Sequence, residues 1–262
     1  NLNIFNAMGH TKNDMAERIK NDMRLLGLLA QNFPNVETAC TEIINLEAIL
    51  NLPKGTEHFV SDLHGASSAF IHIIKNASGV IRRKVDDLYG DTISEEEKRA
   101  LCALIYYPDE RLRHVQQFGL QDEVMPADST MRDWYCRRIH QTINVTRSVS
   151  VKYTRSKVRK MLPQNFAYVI EELLYESSIE SSDRQRYVQS IVDAIISTGK
   201  ADQMLIAISY LIHMLAIDTW HIVGDIFDRG PGAPKIMEVL STVRDYDIQW
   251  GNHDIAWMGA FA

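Results

Sequence analysis

The sequence predicts an α/β protein. Three short apolar segments each run into a polar, glycine-bearing loop, at residues 58–65, 219–232 and 246–254. Segments with helical periodicity separate them, and a strand–helix–strand succession implies parallel strands joined by crossovers. The stretch between the first two, residues 66 to 218, is far longer than the ~12 residues a crossover needs, so it holds a large helical insertion.

The N-terminal residues 1–55 read as a helical region. Met15, Ile19, Met23, Leu26 and Leu29 recur at helical spacing and are expected to be core. Pro34 interrupts the pattern, VETACTEIINLEAIL resumes it, and Pro53 and Gly55 mark a turn. Residues 56–262 form the second region. HFVSDLHG is a buried strand ending in a loop, and ASSAFIHIIKNA is a helix with Phe70, Ile73 and Ile74 on one face. The insertion spans about 78–216. Ser94 and Glu97 predict a capping box before KRALCALIYY. NFAYVIEELLYE, DRQRYVQSIVDAIIST and ADQMLIAISYLIHML carry the 3.6-residue period. TWHIV and YDIQW are the second and third strands, with APKIMEVLSTVRD as a helix between them.

Composition narrows the function. The net charge is −6, so a chain-wide basic surface for nucleic acid is absent. Cys40, Cys102 and Cys136 form no CxxC pair, which suggests neither a disulfide framework nor a thiolate zinc site; a reducing cytoplasm is the expected compartment. The most apolar stretch, Met204 to Ile217, is too short for a membrane span and reads as a buried helix. The first residues do not read as a signal peptide, and no membrane partner is expected.

All three strand ends carry candidate metal ligands: Asp62 and His64, then Asp225 and Asp228 with Arg229, then Asn252, His253 and Asp254. Residues i and i+2 of an extended segment point the same way, so Asp62 and His64 could reach one ion. In open α/β sheets functional groups collect beyond the carboxyl ends of the strands. Singly, each fragment is matched by a bland reading, such as a surface turn or a local Asp–Arg pair. Together and in this order they are specific. Among other histidines, His58, His72, His213 and His221 read as core or helix-packing residues, and His10, His114 and His140 as surface groups. Residues 132–160 hold nine basic side chains against Asp133 alone, which suits either a solvated helix face or an anion site.

The motifs DLHG at 62–65, GDIFDRG at 224–230 and GNHD at 251–254 resemble those of the calcineurin-like metallophosphoesterases. With KYTRSKVRKMLP at 152–163 and IQWGNHDIAWMGA, the chain most resembles the bacterial class III fructose-1,6-bisphosphatases. It departs from them at Ala66, where an acidic residue is usual. The resemblance implies part of a β-sandwich with flanking helices and a two-metal site, Mn²⁺ being expected and Fe²⁺, Zn²⁺ or Mg²⁺ compatible. It implies that Asp62, His64 and Asp225 hold the first metal, and that Asp225 bridges to a second, also bound by Asn252. His253 would protonate the leaving oxygen, Asp228 would orient it, and Arg229 would clamp the phosphate. The implied reaction is hydrolysis of the 1-phosphate of fructose 1,6-bisphosphate, a gluconeogenic step. The family adds two histidine ligands downstream of His253, and none follows here; weak or single-site metal binding and little activity are therefore expected of these residues alone. Two alternatives stand beside this reading. One is the same centre acting on a phosphoprotein or dinucleoside polyphosphate; the other is a non-catalytic helical module with a partial site. Self-association stays open.

Overall fold

A computed structural model gives the fold over residues 23–175 and 182–262. The chain divides into two units, Asn1–Leu52 and Pro53–Ala262. In the first, α1 (Met23–Asn32) and α2 (Val36–Leu50) flank Pro34. Asn35 caps α2: its Oδ1 accepts the Thr38 N–H at 2.9 Å. Met15 and Ile19 lie outside the described residues. Contrary to expectation, the apolar residues here are not core, since Leu26 is 38% and Leu29 39% exposed. Two short helices cannot enclose a core by themselves.

The second unit is α/β and mostly helical. Its one sheet among the described residues has three parallel strands in the order β1 (Glu57–Val60), β2 (Thr219–Val223), β3 (Tyr246–Gln249). The register aligns His58 with Trp220 and Tyr246, and Val60 with Ile222 and Ile248. Alternation then sorts the faces. Val60, Trp220 and Ile222 are buried, whereas Phe59 on the other face is 64% exposed.

Helices α3 (Ser67–Asn76), α4 (Val80–Tyr89), α5 (Glu95–Tyr106) and α6 (Pro108–Phe118) follow β1. Next come α7 (Met131–Ser150), α8 (Arg155–Met161), α9 (Ala167–Tyr175), α10 (Ser182–Ser197) and α11 (Ala201–Ala216). The chain then enters β2, and α12 (Ala233–Leu240) links β2 to β3. The expected buried helix is α11. Its Met204, Leu205, Ile208, Leu211 and Ile212 are inaccessible to solvent, and it packs chiefly along α7. No helix among the described residues is long and apolar enough to cross a membrane.

Only half of the predicted capping box forms. Ser94 Oγ accepts the Glu97 N–H at 3.2 Å, but the Glu97 carboxylate turns inward to Gln141 Nε2 (2.7 Å) and Arg137 Nη2 (2.8 Å). There it joins a buried network in which fully buried Arg138 bonds Glu123 (2.7 Å) and Gln141 (2.8 Å), and Arg111 bonds Glu123 (2.6 Å). Burial pushes the Glu123 carboxyl up, yet hydrogen bonding to Arg138 and the charge of Arg111 hold it below the ordinary range. Ala66 occupies the N-cap of α3, where it supplies no side-chain cap. An acidic residue there would satisfy an orphan N–H.

Much of the basic stretch 132–160 is likewise structural. Arg132 pairs with Asp193 (2.8 Å), Lys152 with Asp218 (2.6 Å) and Arg159 with Glu171 (2.5 Å); the Arg147 guanidinium donates to the Leu174 carbonyl (2.9 Å). Several histidines also differ from expectation. His72 is exposed and stacks on Tyr107. His221 is half-buried, stacks on Phe59 and pairs through Nδ1 with Asp247 at 2.7 Å. His140 is half-buried rather than at the surface, and burial lowers its pKa.

Candidate metal centre

The three loops meet beyond the carboxyl ends of the parallel strands, where no further ladder partner consumes their polar groups. After β1, buried Leu63 anchors the first loop and leaves Asp62 and His64 on either side of it. The loop is not extended: φ is +55° at Asp62, +45° at His64 and +67° at Gly65. The i, i+2 placement predicted from a strand is thus achieved by a left-handed turn. Backbone bonds stitch it to the second loop, His64 N–H to Asp225 O at 2.7 Å and Gly65 N–H to Ile226 O at 3.0 Å. In return, Gly230 N–H donates to His64 O at 3.0 Å. A Cβ at Gly65 would lie 2.2 Å from the Gly230 carbonyl oxygen, so glycine is needed there for space as well as for φ.

Asp225 (φ +56°) and Arg229 (φ +64°) are left-handed too. A non-glycine residue in this region costs about 1–3 kcal/mol and persists only where its surroundings over-determine it. Here the surroundings include Asp254, which the sequence offered only as a candidate metal ligand and which instead binds backbone. Its buried carboxylate accepts N–H groups from Asp225 (2.7 Å), Ile226 (3.0 Å), Phe227 (3.1 Å) and Gly251 (3.1 Å). Burial pushes that carboxyl up, but the four N–H donors outweigh it and hold the pKa below the ordinary value. The available signal was an acid at the third residue of a helix, α13 (Asn252–Phe261), a position that favours capping.

One ligand atom each from Asp62, His64 and Asp225 fall within 4.8 Å of one another. His64 Nε2 is 3.6 Å from Asp62 Oδ1, and its buried Nδ1, which has no hydrogen bond, is 3.5 Å from Asp228 Oδ2. The same Asp228 oxygen lies 3.5 Å from His253 Nδ1 and accepts from Arg229 Nε at 3.0 Å. It therefore serves three groups, and not His253 alone. The His64 and His253 rings stand edge to face with centroids 5.9 Å apart. The His253 N–H donates to Asp225 Oδ1 at 3.1 Å. Asn252 is exposed, and both of its neighbours touch Asp225: a Cβ at Gly251 would come within 2.0 Å of Asp225 Oδ1. Two carboxylates and one imidazole fit a borderline divalent cation. Asp225 and His64 are largely buried while Asp62 is exposed, which leaves the cluster open on one side.

The profile of the Firmicute fructose-1,6-bisphosphatase family matches residues 24–262. Curated relatives include class 3 fructose-1,6-bisphosphatases from Parabacteroides distasonis (53% identical over 95% of this chain and 36% of the relative) and Phocaeicola vulgatus (52% over 100% and 37%). Another, from Clostridium acetobutylicum, is 51% identical over 96% of this chain and 36% of its own length. The chain thus spans a little over a third of the length of these relatives. No solved structure matches it.

Proposed function

The chain belongs to the Firmicute fructose-1,6-bisphosphatase family, and from that premise we propose that it carries much of a metal-dependent phosphatase centre acting on the 1-phosphate of fructose 1,6-bisphosphate. The observation that carries the proposal is the convergence of Asp62, His64 and Asp225, with Asp228 joining His64 to His253. Asp62, His64 and Asp225 would hold one Mn²⁺, and Asp225 with Asn252 would contribute to a second. When bound, such cations neutralise phosphoryl oxygens and make water more acidic. The chain's own residues supply the rest. Asp228 Oδ2, 3.5 Å from His253 Nδ1, would orient that ring and leave Nε2 to give a proton to the departing sugar oxygen. Arg229, whose side chain is 69% exposed, is free to lay its donor fork on the phosphate. Asp254 fixes the backbone that presents Asp225.

The wider reading is a member of the calcineurin-like metallophosphoesterases. Residues 1–55 form a helical region in it, and residues 56–262 form the first part of a sandwich core with an insertion at about 78–216. Cytoplasmic location and self-association belong to the same reading. The open outer face of the sheet, with Phe59 exposed, supports a second layer there. The test is phosphate release from fructose 1,6-bisphosphate and from a phosphoserine peptide with Mn²⁺, alongside Mn²⁺ calorimetry. It is run on this chain and on a fusion carrying the remaining length of a relative. Asp225→Asn should weaken metal binding in both and abolish sugar-phosphate turnover in the fusion. Release from the peptide alone would overturn the substrate, and unchanged metal stoichiometry in the variant would overturn the bridging role.

A further inference from the structure

A small cavity of about 110 Å³ lies at the amino ends of the strands, away from the candidate metal ligands. It is bounded by the segment leading into β1, by α4, by the end of α7 with the turn after it, and by the last residue of α11. That is room for several waters, each needing about 10–15 Å³, but less than the roughly 300 Å³ at which pockets for drug-sized molecules begin. The space suits an ion of a few heavy atoms.

Its polar lining is cationic. Lys54, Lys84 and Lys152 reach it together with the hydroxyls of Thr56 and Ser148, and no acid does. Val80 and Val149, both buried, form an apolar wall. Lys152 is fully engaged: its ammonium donates to Asp218 (2.6 Å), Thr56 Oγ1 (3.0 Å) and the Ala216 carbonyl (2.9 Å). Lys157 also draws on Asp218, at 3.7 Å, so one carboxylate answers two cations. Lys54 and Lys84 make no hydrogen bond or ion pair among the described residues, and the Ser148 hydroxyl has no partner there either. Thr56 Oγ1 accepts from Lys152, which leaves its own proton to donate. Burial lowers the pKa of Lys152 against the pull of Asp218, and the charges of Lys157 and Lys84 lower it further. The lysines therefore act on one another across this space. The carbonyl ends of α7 and α11, which would repel an anion, are taken up: Ser150 O accepts the Tyr153 N–H at 2.9 Å, and Ala216 O accepts from Lys152.

We propose that this cavity binds a tetrahedral oxyanion, a phosphoryl group carried either as free phosphate or as the head of a small phosphate ester. Lys84, half-buried, and Lys54, exposed, supply two compact charges that nothing else neutralises. Ser148 and Thr56 supply hydroxyl donors to the remaining oxygens. A dianion gains from both lysines at once, whereas a neutral ligand would leave their mutual repulsion in place.

The test is titration calorimetry of this chain without Mn²⁺, with inorganic phosphate and with glycerol 2-phosphate as probes. Binding should be saturable and one to one, and should weaken several-fold when sodium chloride is raised from about 50 to 500 mM. Lys84→Ala should weaken it 10- to 100-fold, the scale of one charge-assisted hydrogen bond. Lys54→Glu, at an exposed position, should weaken it at least as much and decides the matter alone if Lys84→Ala melts early. Arg229→Gln should keep full affinity, because that side chain belongs to the opposite strand ends. Tighter binding of glycerol 2-phosphate than of phosphate marks the head of an ester as the natural ligand, and the reverse order marks the free ion. No saturable binding of either probe at ten millimolar would overturn the assignment, as would unchanged affinity in Lys54→Glu. Binding lost in Arg229→Gln but kept in Lys84→Ala would place the anion at the candidate metal centre and overturn it too.

Discussion

Replacing Asp254 by Asn removes one of two acceptor oxygens and changes little else in volume. In the native loop, Oδ2 accepts from Asp225 and Gly251, and Oδ1 accepts from Ile226 and Phe227. Whichever way the amide is turned, two of these backbone N–H groups face an NH₂ instead of an oxygen. Charge-assisted bonds contribute about 1.5–3 kcal/mol each, so losing two costs about 3–6 kcal/mol. That exceeds the roughly 1–3 kcal/mol by which a left-handed Asp225 is disfavoured. Asp225 should relax toward ordinary φ and withdraw from Asp62 and His64. Hydrogen exchange reads this locally: the amides of Asp225, Ile226 and Phe227 should open roughly 10²–10⁴-fold more often, at 1.4 kcal/mol per decade. The Ile208 amide in α11 serves as the control, and Mn²⁺ affinity should fall in parallel. Unchanged protection in the loop, with weakened Mn²⁺ binding, would refute the positioning argument, since the metal effect would then have another cause. Acid should imitate the substitution. The folded pKa of Asp254 is depressed, so its contribution is complete above the unfolded value near 3.8 and is lost as pH falls through the lower folded value.

Other outcomes follow from separate parts of the molecule. His253→Ala, in the fused form, should keep Mn²⁺ and slow turnover roughly 10²–10⁴-fold; loss of metal in calorimetry would make it a ligand instead. Arg138→Met should destabilise the second unit by about 3–5 kcal/mol, because Glu123 is left buried with only Arg111. In thermal melting that is a fall of roughly 6–20 °C, and a shift under 2 °C would show the network to be dispensable. Burial lowers the pKa of His213 to about 4, beside Tyr210 and Lys75. The unfolded chain takes up a proton below pH 6.5 while the folded one does not, so stability should drop by up to roughly 3 kcal/mol between pH 6.5 and 4. Denaturant titrations of the wild type and His213→Gln should show this slope only in the former.

Sequence reasoning found the strand ends because each strand is a short apolar run that stops at polar residues. Asp62, His64, Asp225, Asp228, Arg229 and His253 do assemble there. What escaped it depends on contacts made across the chain. The left-handed backbone at four of these residues is imposed by neighbouring loops, and neither Asp nor Arg announces it. Glu97 has the spacing of a capping residue, but a partner in α7 took it. Arg138 carries a charge that pattern reading puts in water, yet Glu123 and Gln141 draw it inside. The apolar stripe of α1 was legible as a stripe, but periodicity does not say what covers it.

The sheet also has a bearing on how the chain finds its fold. Thr56 and Asp218, bonded at the foot of β1 and β2, are 162 residues apart in sequence. Closing a flexible loop of that size costs roughly 2 kcal/mol more than closing one of about a dozen residues. Non-local pairings of this kind are slow to form. The intervening helices remove much of that penalty if they form first, because α3 and α11, which stand next to the two strands in the chain, pack against each other. The candidate metal ligands would then be assembled late, after the helical layer has brought β1 and β2 side by side. In stopped-flow refolding, far-ultraviolet circular dichroism would recover ahead of Mn²⁺ binding, and core substitutions in α11 would delay both.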